Sequence, residues 1–140
     1  MEKSFMNPQD KGKVPGSPEE WMSHAESDLR LARLAAGDKT IRREQVCFHA
    51  QQAAEKAIKA VLLSRGIDFP LTHDIEELLE IAEASLVKLP EAVREAGLLT
   101  PYAVETRYPG HWAEIADTDL REALRVAELA LAWARETITV

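Results

Sequence analysis

The sequence predicts an all-α fold: an up-and-down antiparallel bundle of about five helices. Three observations carry that expectation. Apolar residues recur at steps of three and four through most of the chain. No stretch alternates with period two for long enough to make a strand. Serine, threonine, proline and glycine punctuate the periodic runs where helix ends belong. With 140 residues, 46% of them hydrophobic, the chain suits one domain with a real core. That domain is expected over 17–140. Residues 1–16 mix Lys, Pro, Gly and Ser without periodicity and read as a mobile tail.

The elements follow in order. "SPEE" offers Ser17 as N-cap, Pro18 at the first helical position and Glu20 to close a capping box. Met22, Ala25, Leu29, Ala32 and Ala36 form the stripe of this first helix, which ends before Gly37. The second helix is expected from about Glu44 to Arg65, closed by Gly66. Cys47, Ala50, Ala54, Ala57 and Val61 make its buried stripe, and its many alanines let a neighbouring helix come close. Thr72 or Asp74 caps a third helix, whose apolar face is Ile75, Leu78, Leu79, Ala82 and Leu86. Pro90 opens a fourth segment that stops near Gly97. "LTPYAVETRYPG" then reads as a short capped continuation, with Thr100 as N-cap, Pro101 at the first position and Pro109-Gly110 as terminator. The last helix begins near Thr118, with Leu120, Leu124, Ala127, Leu131, Ala134 and Ile138 in its stripe.

Charge and cysteine usage exclude several functions. A net charge of -7 and a pI near 5.1 mean that the average surface repels polyanions, so bulk charge does not drive nucleic-acid binding. A local basic pocket remains open to it. The single cysteine, Cys47, rules out an intramolecular disulfide and a multi-cysteine metal site. The four histidines are scattered without helical two-histidine spacing, so no metal and no cofactor is expected. No run approaches the roughly 18 apolar residues that span a bilayer, and the N-terminus lacks the apolar centre of a signal peptide. A cytoplasmic protein without a membrane partner is expected.

Three places carry candidate chemistry. On the second helix His49, Gln52, Lys56 and Lys59 form a polar ridge at steps of three and four. Its plain reading is a solvated face in which Glu55 and Lys59 make a weak i,i+4 pair. Its functional reading is a surface that meets a partner subunit or a phosphate-bearing ligand. His73 and Asp74 stand at the start of the third helix, where the dipole stabilises the aspartate and His73 packs over the first turn. "ETRYPGH" places Arg107, a bidentate phosphate binder, near His111, a general acid or base at neutral pH. Spacing alone decides little: ten arginines and four histidines yield about one Arg-to-His pair with four to six residues between by chance. Arg42 and Arg43 both fall at that separation from His49.

Together "CFHAQQAAEKAIKAVLLSRG", "THDIEELL", "LTPYAVETRYPG" and the long "DLREALRVAELALAWARETI" resemble the HEPN domain of prokaryotic proteins. "WMSHAESDLRLARLA" fits its first helix, so the resemblance covers nearly everything from Ser17 onward. It implies a bundle of about five helices that dimerises. It also implies a cytoplasmic partner of a minimal nucleotidyltransferase in a toxin-antitoxin-like system, binding nucleotide or RNA near Arg107. Many members are metal-independent endoribonucleases, whose signature is an arginine, four to six residues and a histidine, two copies meeting at the dimer interface. Mapped here, Arg107 and His111 take the catalytic places with only Tyr108, Pro109 and Gly110 between them. Tyr108 is a further candidate for nucleotide contact or covalent modification. His49, Gln52, Glu55, Lys56 and His73 are candidates for ligand or interface contacts. The alternatives to a binding partner are an active endoribonuclease toxin and a purely structural dimerisation module.

Overall fold

The protein is described by a computed structural model over residues 15–103 and 114–139. Five α-helices make up the described bundle: α1 (Pro18–Ala36), α2 (Arg43–Ser64), α3 (Ile75–Ala84), the single turn α4 (Glu91–Arg94) and α5 (Asp117–Thr139). A 3-10 stretch, Glu95–Ala103, continues directly from α4. No strand occurs among the described residues. Residues 1–14 of the expected tail, and the terminator Pro109-Gly110, lie outside the described residues.

Local chemistry explains the helix starts. The Ser17 hydroxyl accepts from the Glu20 amide while the Glu20 carboxylate accepts from the Ser17 amide, so two otherwise orphaned donors are satisfied reciprocally. Asp74, rather than Thr72, caps α3, accepting from the amides of Glu76 and Glu77. Thr72 instead accepts from the Asp74 amide. Thr100 does not open a helix of its own. It lies inside the 3-10 stretch with Pro101, and its hydroxyl accepts from the Ile75 amide at 3.0 Å. The side chain that sequence assigned to a local cap therefore caps a different helix, tying α3 to the stretch before residue 104.

The core is organised around α2. Cys47, Ala50, Ala54, Ala57 and Val61 are fully buried, as are Ala53, Ile58, Ala60 and Leu62. With α1, α3, α5 and the 3-10 stretch all packed on it, this helix is buried on nearly all sides, and its alanines are what let so many neighbours approach. α1 contributes Met22, Ala25, Leu29 and Ala32 as expected, with Ala35 more deeply buried than Ala36. α5 contributes Leu120, Ala127, Leu131 and Ala134, joined by Ala123, Val126, Ala130 and Trp133. Exposed ion pairs line the α1–α5 seam, Arg33 to Glu128 at 2.7 Å and Arg135 to Glu26 at 2.6 Å.

Two helices end in the same motif with different residues. After α2 the amide of Ile67 donates to the Leu62 carbonyl and that of Gly66 to Leu63, with Gly66 at φ +68°. After α3 the amide of Val87 donates to Ala82 and that of Leu86 to Glu83, with Leu86 at φ +67°. Both are Schellman caps, whose left-handed position favours glycine. Leu86 was expected on the apolar face of the third helix. It is instead 90% exposed, because α3 ends at Ala84 and the left-handed residue turns its side chain away from the stripe. Holding a leucine in this conformation costs roughly 1 kcal/mol. Leu86→Gly is therefore expected to stabilise the fold by about 0.5–1 kcal/mol, read as a rise of about 3 °C in Tm by thermal unfolding.

Candidate functional site

The ridge on α2 meets two different neighbours. Glu55 is only 3% exposed, yet three side chains converge on its carboxylate. Gln51 Nε2 donates at 2.8 Å, Lys59 Nζ at 2.9 Å, and His73 Nδ1 lies 3.1 Å from both oxygens. A carboxylate only accepts, so the imidazole presents Nδ1–H to it. Gln51 in turn accepts from Gln52 at 2.7 Å. Lys59 Nζ also stands 5.6 Å from the Trp21 ring centre and 5.9 Å from that of Phe69, so its charge is neutralised on one side and cradled by aromatic faces on the other. Among the described residues no buried side-chain polar atom lacks a hydrogen-bond partner.

On the α1 side, Asp28 receives Lys56 Nζ at 2.6 Å and His49 Nδ1 at 3.4 Å. The Phe48 and His49 rings meet edge to face, centres 5.2 Å apart. The expected solvated face is therefore not one. Glu55 and Lys59 form a buried pair rather than a weak surface one, and His49 and Lys56 are partly covered and engaged with α1. The physical reason is the central position of α2: a ridge that would face water on an outer helix here meets α1 on one side and the chain before α3 on the other. His73 keeps its side chain 60% exposed, the most open member of the group.

A second polar region lies at the α1–α2 turn. Between Arg30 and Glu44 the chain carries five basic residues and two acidic ones, against a whole-chain charge of -7. Lys39, Thr40, Ile41, Arg42, Arg43, Glu44, Glu114 and Ile115 surround a recess of about 310 Å³. The Asp38 carboxylate accepts from the Thr40 hydroxyl and amide, which fixes the turn and holds that carboxyl below its ordinary pKa. Arg42 pairs with Glu44 at 2.9 Å. Arg43 Nη1 donates to the Ile115 carbonyl at 2.9 Å, pinning the basic turn to the chain just after residue 113. Arg43 and His49 point to different elements, Ile115 and Asp28, because six residues place them about 120° apart round the helix. They do not form a pair.

Comparison with protein-family models matches the HEPN domain over residues 18–137. The chain belongs to the HEPN family. Its fold is similar to the crystal structure of ST0689, an archaeal HEPN homologue, at a TM-score of 0.70 and 30% identity, covering 89% of this chain and 99% of that one. It is similar also to the crystal structure of TT1696 from Thermus thermophilus, at a TM-score of 0.72 and 35% identity, covering 86% of this chain and 97% of that one. No curated protein matches.

Within this HEPN bundle Arg107, Tyr108 and His111 lie outside the described residues. Of the other sequence candidates, Glu55, His73 and Gln52 come together around the buried carboxylate, and His49 and Lys56 share Asp28. Sequence reasoning missed Asp28, Gln51 and Arg43. Asp28 had a readable signal: folding α1 back on α2 about residues 37–42 brings it level with Gln52, between His49 and Lys56. Among the described residues no group of three or more His, Cys, Asp or Glu is placed to hold a metal ion, and no helix is long and apolar enough to cross a membrane.

Glu55→Ala strands a buried lysine, so it is expected to cost about 3–5 kcal/mol by urea unfolding. The apolar pair Glu55→Leu with Lys59→Met should recover most of that loss. Burial pushes the Cys47 thiol up to about 11, against a lowering hydrogen bond from Tyr102. In mildly alkaline buffer its reaction with a disulfide reagent should be slower than that of free cysteine by on the order of a hundredfold, becoming fast in denaturant.

Proposed function

We propose that this HEPN-domain protein is the partner of a minimal nucleotidyltransferase and binds nucleotide or RNA at the basic end of its bundle. The observation that carries the reading is the hydrogen bond from Arg43 to the Ile115 carbonyl. Ile115 follows His111 by four residues and Arg107 by eight, so this bond keeps the Lys39, Arg42 and Arg43 turn beside the C-terminal flank of the family's signature segment. The Thr100 bond to the α3 amide anchors the other flank. A guanidinium offers planar, bidentate donors to phosphate oxygens and a lysine adds a point charge. The basic turn supplies positive potential that the acidic remainder of the chain lacks. In a dimer, two such ends meeting in one cleft would reinforce it.

Fluorescence anisotropy with a labelled single-stranded RNA tests the reading. Arg107→Ala should weaken binding by about tenfold or more. Lys39→Ala and Arg42→Ala should each weaken it less and flatten the salt dependence by about one unit of slope. Binding unchanged in all three sinks the proposal. The same RNA incubated in EDTA separates binding from cleavage: breakdown lost in both Arg107→Ala and His111→Ala would replace the binding reading by the endoribonuclease one, with His111 moving the 2′-OH proton and Arg107 stabilising charge on the phosphate. Co-purification with a co-expressed minimal nucleotidyltransferase, absent with an unrelated one, tests the partnership.

A further inference from the structure

At the end of the bundle where α2, α3 and α5 terminate, Val87, Leu89, Pro90 and Trp133 form the apolar floor of a groove of about 440 Å³, with Arg65 and Lys88 at its rim. Trp133 is fixed there by donating its indole N–H to the Lys88 carbonyl at 3.1 Å. Neither the Arg65 guanidinium nor the Lys88 ammonium has an ion-pair partner among the described residues, whereas most exposed arginines of the bundle do. Immediately before Val87 stands Leu86, nine-tenths exposed and in the left-handed conformation that the chain gives to Gly66 in the matching motif after α2. A large apolar side chain is thus held exposed one residue before the groove lining, at a position where glycine is favoured, and the groove is also lined by two cations that no ion pair engages among the described residues.

We propose that this groove docks an acidic, leucine-bearing helical segment of a partner protein. Its leucines would fill the space over Trp133 and pack against Leu86, while its carboxylates would meet Arg65 and Lys88. The described residues offer no sheet edge, so a helix laid in the groove is the fitting mode of recognition. Two features argue against a second copy of this chain as occupant. A two-fold contact centred on the groove sets each patch against itself, so Arg65 and Lys88 would face the mate's own Arg65 and Lys88, and like charges brought together oppose association. The floor is also too apolar, and the cations too few, for a nucleic acid.

The full chain would be titrated calorimetrically with a synthetic peptide of leucine and glutamate in helical period, about three turns long. Binding is expected, weakened about tenfold or more by the double substitution Arg65→Glu with Lys88→Glu. Leu86→Gly should weaken binding while raising Tm, a combination that loss of folding does not produce. The same peptide with lysine for glutamate should not bind. Three results would overturn the proposal: no binding to the wild type, equal binding to the charge-reversed variant, or equal binding of the lysine peptide. Conversion of a dimer to a monomer by the charge reversal, seen in sedimentation, would likewise overturn it by making the groove a contact between copies. None of these readouts involves RNA, so their outcome is independent of the reading at the basic end.

Discussion

Glu55 sits almost without exposure in the middle of a helix that has neighbours on nearly every side, and an isolated carboxylate there would be intolerable. Everything around it follows from satisfying that one group. Lys59 supplies the opposite charge from the next turn, Gln51 supplies an amide, and His73 arrives from the chain before α3. Because His73 precedes Asp74, the cap of α3, satisfying Glu55 also fixes where α3 starts. The pair is not justified by its net stabilisation, since replacing a buried ion pair with apolar residues is often neutral. Its consequence here is positional: it determines how the segment between α2 and α3 lies on the central helix.

The same logic of obligatory partners operates at the helix ends. Thr100 accepts from the first amide of α3 and Arg43 donates to the carbonyl of Ile115. Between them these bonds hold both sides of residues 104–113, the stretch that contains Arg107, Tyr108 and His111. A short set of polar contacts therefore links the core helix and the third helix to the chain on either side of residues 104–113. Basic side chains gather at the α1–α2 turn, five of them between Arg30 and Glu44 against two acidic ones, in a chain whose net charge is -7.

The Schellman caps after α2 and α3 show how one backbone requirement leads to different surfaces. Gly66 meets it without strain and presents nothing. Leu86 meets it at a cost and presents an exposed apolar side chain. Backbone geometry is satisfied in both cases, and only the second leaves a surface feature that a partner could use.

Helix positions were legible in the sequence because they depend on local chemistry: the Ser17 capping box, the Asp74 cap, the three-and-four spacing of Cys47, Ala50, Ala54, Ala57 and Val61. Family membership was legible too, since it rests on several motifs in order. The environment of the polar ridge was not. Periodicity shows which residues share a face of α2, but not whether that face meets water or another helix, so Glu55 and Lys59 read as a surface pair. Nor could sequence show that Thr100 caps a helix 25 residues before it, or that Leu86 leaves the stripe it continues. Those outcomes depend on which elements pack together, and packing brings together residues whose separation along the chain carries no trace of their contact.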